Sequence, residues 1–116
     1  MLLSIVVEIL EYTSATGLSA FAKWREKLDA MTRARVTVAV LRLEAGNFSA
    51  VKGAGAGIFE LRLDFGLGYR VYFGKDSDRL VILLGGGVKK RQQEDIEAAQ
   101  ALWQRYKQTK EQRRKT

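Results

Sequence analysis

The sequence contains no cysteine, no histidine and no proline. Without cysteine there are no disulfides, thiolate nucleophiles or thiolate metal ligands; without histidine the commonest zinc ligand and the usual general base near neutral pH are missing. Any chemistry falls to Lys, Arg, Tyr, Asp, Glu or backbone amides, and no metal or cofactor is expected. A long apolar run is also lacking. Met1 to Val7 is apolar but has no basic flank, and Glu8 interrupts it far short of the roughly 18 residues that span a bilayer. The expectation is a soluble, cytoplasmic protein without a membrane partner.

What is present is one domain's worth of chain: 116 residues, 47% of them hydrophobic. Twenty Lys and Arg against thirteen Asp and Glu leave a net charge of +7, which favours a polyanionic or acidic partner. The excess is not evenly spread. Residues 88–116 hold nine basic and four acidic side chains, so this C-terminal stretch carries +5 of the total. Residues 1–110 read as a single domain and 111–116 as a basic, solvated tail.

Hydrophobic periodicity orders the elements. Ser4 to Leu10, rich in Ile and Val, reads as a first strand, and after a break at Thr13 to Gly17 a helix carries Leu18, Phe21, Trp24 and Leu28 on one stripe. A second helix runs from about Thr32 with Val36, Val40 and Leu43 inward, and Gly46-Asn47 stops it. Ser49 to Gly57 reads as a glycine-rich loop. The period then changes to two: Phe59, Leu61 and Leu63, and after a Gly66–Gly68 turn Tyr69, Val71 and Phe73, form a hairpin. Leu80 to Leu84 is apolar throughout, as befits a central strand covered on both faces, and Gly85-Gly86-Gly87 reads as its end. Ile96, Ala99, Trp103 and Tyr106 mark a last helix from about Gln92. The result is an α+β domain of order β-α-α-β-β-β-α, with helices on one face of a mainly antiparallel sheet.

Two basic constellations stand out. Keeping odd-numbered apolar residues on one buried face requires paired hairpin residues to sum to an even number, most simply 132 or 134, which places Arg62 opposite Arg70 or Tyr72. Arg62, Arg70 and Tyr72 then share the non-core face, where Tyr72 points outward and could stack on a base. Opposed arginines repel by some tenths of a kcal/mol unless an anion or neighbouring acids such as Glu60 and Asp64 compensate. The second constellation, Lys89-Lys90-Arg91, lies at the start of the last helix, where basic side chains oppose the helix dipole while free amides attract anions. The other glycine patterns are turns: Gly53 to Gly57 lacks the following Lys-Ser or Lys-Thr of a phosphate-binding loop.

Taken together, Gly46-Asn47, Val51-Lys52, Gly55, Gly57, Glu60-Leu61-Arg62, Gly66, Gly68-Tyr69-Arg70-Val71-Tyr72-Phe73, Leu83-Leu84, Gly86-Gly87, Lys89, Gln92 and Asp95-Ile96 closely resemble the RelE/ParE toxin superfamily. Within it they are similar to the phage-derived, HigB-like addiction-module killer proteins, from about Phe21 to the last helix. The resemblance implies a RelE-like fold and an endoribonuclease that cuts mRNA in the ribosomal A site. It also implies a cognate antitoxin, often of helix-turn-helix type, that holds the toxin in a hetero-oligomer. On this sequence the implied catalytic positions are Arg62, Arg70, Lys89 and Lys90, with Lys52, Tyr72 and Arg91 contacting RNA. Two positions depart from the pattern. Ile96 stands where well-studied relatives carry a tyrosine, and Val88 where close ones carry an acid, which leaves the proton-transfer group unassigned. A ParE-like gyrase inhibitor and a catalytically degenerate binding protein are the alternatives.

Overall fold

The computed structural model describes residues 6–115. The chain runs β1 (Glu8–Glu11), α1 (Ala20–Glu26), α2 (Ala30–Glu44), β2 (Val51–Gly55), β3 (Ile58–Leu63), β4 (Tyr69–Ser77) and β5 (Leu80–Val88). A 3₁₀ turn (Lys89–Arg91) then leads into α3 (Gln92–Lys115). Side-chain caps fix where the first two helices begin. The Ser19 hydroxyl accepts from the Ala22 amide at 3.0 Å and the Asp29 carboxylate from the Thr32 amide at 2.7 Å; the Thr32 side chain and then its amide hold the Asp29 carboxyl below the usual range. The end of α2 is a glycine stop: Gly46 adopts φ +87°, and the Asn47 amide returns to the Arg42 carbonyl at 2.8 Å.

The five strands lie in the order β1-β5-β4-β3-β2, with β1 parallel to β5 and all other pairs antiparallel. The strand β5 is therefore interior, as its continuous apolar run implies. Odd-numbered Leu61, Leu63, Val71, Phe73, Val81 and Leu83 join Phe21, Val36, Ala39 and Leu43 in one core under α1 and α2. On the opposite face Ile58, Tyr72, Ile82 and Leu84 join Ala99 and Trp103 of α3 in a second core. Truncating a side chain as fully enclosed as Phe73 or Leu43 typically costs roughly 2–5 kcal/mol.

Three expectations are refined here. The helices divide between both faces rather than sharing one, because the stripe of α3 needs a partner surface and finds it in the even-numbered strand residues. The glycine-rich stretch after Ser49 is not all loop: residues 51–55 form an edge strand on β3, with Val51 opposite Leu61 and Lys52 opposite Glu60. Gly85 to Gly87 do not end β5 but lie within it. Gly86 is required there by close approach, since a Cβ on it would fall 2.2 Å from the Trp24 ring. Elsewhere, β1 begins at Glu8, and Ser4 and Ile5 lie outside the described residues. Leu18 precedes the α1 cap and is exposed. Among the described residues no helix is long and apolar enough to cross a membrane.

Two polar side chains of α3 share one attachment to β4. Near the middle of the helix Tyr106 donates to the Asp76 carboxylate at 2.5 Å, and Lys110 pairs with the same carboxylate. The Lys110 ammonium and the Tyr106 hydroxyl hold the Asp76 carboxyl below its ordinary range, while burial and Asp76 push the Tyr106 hydroxyl up to about 12. A carboxyl depressed in the fold stabilises it above the pKa of the unfolded chain and loses that contribution as pH falls through the folded pKa. The Asp76→Ala variant is accordingly expected to lose about 1–2 kcal/mol at neutral pH. In thermal unfolding followed by circular dichroism, its deficit against wild type shrinks as the pH is lowered through the carboxylate range.

Candidate functional site

The β3–β4 register places Arg62 directly opposite Arg70. Continued across the sheet, one rung reads Arg62, Arg70, Gly87 and the next reads Lys52, Glu60, Tyr72, Gly85. Strand alternation puts these side chains on the α3 face, at the end where α3 begins.

Two facing guanidinium groups need a counter-charge, and Glu60 supplies it. It sits two residues before Arg62 on the same face of β3 and is only 2% exposed. Its Oε1 accepts from Arg62 Nε at 2.9 Å and Nη2 at 2.7 Å, while Oε2 lies 3.8 Å from Arg70 Nε. Gln92, the first residue of α3, donates to both oxygens at 3.1 and 2.8 Å. One carboxylate thus orients both arginines and ties α3 to the sheet. In this cluster the Glu60 oxygens are filled by Arg62 and Gln92, while Arg70 contributes its charge at 3.8 Å.

The arginines differ in access. The Arg62 side chain is 31% exposed. Arg70 is buried and turns back so that Nη1 donates to the Gly68 carbonyl at 3.2 Å. The Lys89 amide donates to that same carbonyl at 2.7 Å, which sets Lys89 beside Arg70. A Cβ on Gly68 would lie 3.3 Å from both Arg70 Nη1 and Lys89 Cβ. Lys52 is exposed across from Glu60, and Lys90 and Arg91 are exposed on the 3₁₀ turn, Arg91 pairing with Glu94 at 2.6 Å.

Tyr72 requires a correction. Parity puts it on the face shared with the arginines, but α3 covers that face and the residue is 0% exposed, so its ring offers no surface for a base. Burial first, then Glu60 and Asp95, push its hydroxyl up to about 12, and it stays protonated at neutral pH. Among the described residues, neither the Tyr72 hydroxyl nor Arg70 Nε has a hydrogen-bond partner. Groups left unpaired inside a protein carry a cost and cluster where a ligand is handled.

Sequence reasoning grouped Arg62, Arg70 and Lys89 but missed the hub. Glu60 figured only as a surface neutraliser, although a carboxylate sharing parity and strand with Arg62 was the available signal. Asp95 was missed as well. It is half-buried on the first turn of α3 and lies against Gly87, where a Cβ would fall 1.9 Å from its Oδ2. Burial pushes its carboxyl above the usual range, with Arg91 opposing. Among the described residues no three carboxylates gather as a metal site would need.

Removing the hub has a measurable consequence. Glu60→Ala leaves two guanidinium groups facing each other without a counter-ion, at an expected cost of about 3–5 kcal/mol in urea unfolding. Added inorganic phosphate is expected to restore more stability to the variant than to wild type.

Residues 23–107 match the family described as Phage derived protein Gp49-like (DUF891), a span that includes every cluster residue from Lys52 to Asp95. An uncharacterized protein of Haemophilus influenzae is 45% identical over 85 residues, covering 72% of this chain and 86% of the relative. On the match over most of its length, the chain belongs to the phage-derived Gp49-like family, a family of RelE-like addiction toxins.

Proposed function

We propose that this toxin is a ribosome-dependent endoribonuclease that arrests translation by cutting mRNA, and that its antitoxin partner is a helix-turn-helix protein holding it in a hetero-oligomer. The observation that carries the reading is the Arg62–Arg70 rung, oriented by Glu60 and extended by Lys89. It is a preorganised cationic patch of the kind that a phosphate in transition needs.

Cleavage by the 2′-hydroxyl of the ribose requires stabilisation of charge on a five-coordinate phosphate, removal of the hydroxyl proton and a proton for the leaving 5′ oxygen. Arg62, with its planar fork partly exposed, binds a phosphate oxygen bidentately. Arg70 and Lys89, fixed on either side of the Gly68 carbonyl, supply the second layer of positive charge. Lys90 adds to the field from the same turn, and Lys52 and Arg91 hold flanking backbone. An incoming phosphate competes with Glu60 for the guanidinium groups, so the carboxylate keeps the empty site folded without filling it.

The test is induction in bacteria followed by primer extension on a translated message. Wild type is expected to give codon-phased cuts. Arg62→Ala, at a position partly open to solvent, is expected to reduce them by roughly 100-fold or more, and Arg70→Ala to do the same. Growth arrest with intact message and an SOS response would replace this reading with gyrase inhibition.

A further inference from the structure

We infer that Asp95 is the catalytic base of this site, the carboxylate that accepts the proton of the attacking 2′-hydroxyl; the inference rests on the nuclease reading. With no histidine in the chain, the base must come from another residue class, and the geometry of the cluster narrows the choice. Glu60 is enclosed and both of its oxygens are taken by Arg62 and Gln92. The Tyr72 hydroxyl is fully enclosed and holds its proton to about 12. Tyr106 is bonded to Asp76 at the far part of α3. Glu94, one residue before Asp95, faces solvent and is paired with Arg91.

Asp95 differs from each of these. Its side chain turns inward from the first turn of α3 onto Gly87, the residue directly opposite Arg70 on the sheet. Helix polarity favours an acid in a first turn but does not require it to face the sheet, as Glu94 on that turn shows. Beside Asp95 lies the buried, unpartnered Tyr72 hydroxyl, which is influenced by the charges of Asp95, Glu60, Arg70 and Arg62 together; Arg91 and Glu94 act from its own side. A half-buried carboxylate lying against the strand position opposite Arg70 is placed to take up a proton there, with Arg91 favouring its charged form. Burial, the larger influence, raises its affinity for that proton. Gly87 is what admits it, since any side chain there would occupy the place of Oδ2.

Asp95 takes the proton from O2′, O2′ bonds to the adjacent phosphorus, and the P–O5′ bond breaks. O5′ receives a proton from the Lys89 ammonium, and the products are a 2′,3′-cyclic phosphate and a 5′-hydroxyl end.

The experiment is single-turnover cleavage by the purified full chain on ribosomes programmed with a defined message, alongside binding to the same ribosomes carrying a 2′-deoxy residue at the cut site. Asp95→Asn is expected to cut ~100-fold or more slowly while binding within about twofold of wild type, and Asp95→Glu to recover part of the rate. The acid limb of the wild-type pH–rate profile should disappear in the Asn variant. Because an acid with a raised pKa costs the fold stability once it ionises, the melting temperature of Asp95→Asn at pH 7 should equal or exceed that of wild type. Cleavage at the wild-type rate overturns the inference, and so does a slower rate accompanied by a lower melting temperature or weaker binding, which marks a structural role. If wild type itself leaves the message intact, the nuclease reading falls and this inference with it.

Discussion

A single carboxylate, that of Glu60, stands between two guanidinium groups that would otherwise repel across a strand pair, and it also receives both hydrogen bonds from the first side chain of α3. Charge balance and helix placement therefore rest on the same two oxygen atoms. Neither arginine is tolerable at its position without that neutralisation, and α3 has no other polar tie to the site end of the sheet among the bonds described above. The energetic logic is that of a buried ion cluster: expensive to assemble, strongly coupled, and geometrically specific once complete.

Around that hub the sheet keeps its two faces distinct. The odd-numbered side chains build a conventional apolar core against α1 and α2. The even-numbered face is apolar only in part: toward Ile58, Ile82 and Trp103 it is a second core, and toward Glu60, Arg62 and Arg70 it becomes ionic. The same α3 covers both regions, with Trp103 and Ala99 over the first and Gln92 and Asp95 over the second. Stability and chemistry are thus laid end to end along one helix.

Much of this was legible from residue order. The two-residue period fixed the hairpin parity, and the observed Arg62–Arg70 pairing is one of the two registers that parity allowed. The apolar run at Leu80 to Leu84 marked an interior strand, and Lys89-Lys90-Arg91 marked the entry to the last helix. What escaped was whatever depended on a partner distant in sequence. A strand at 51–55 with two glycines has no periodic signal of its own and is defined by β3. Gly85 to Gly87 read as a stop because local propensity does not know that Trp24 and Asp95 will press against that backbone. Tyr72 read as outward because its parity was right but the cover of its face was unknown, and Glu60 read as superficial for the same reason.

The parallel pairing of β1 with β5 joins residues about seventy positions apart, Glu8 to Leu80 and Glu11 to Leu83. The strand that carries Gly87 into the site is thus the one for which β1 must wait, and Gln92 and Asp95 come later still. During synthesis Glu60 and the two arginines emerge before Gln92 and Asp95 of the helix that covers them. Until α3 follows, the ionic cluster lacks the Gln92 hydrogen bonds to Glu60 that tie the helix to the sheet.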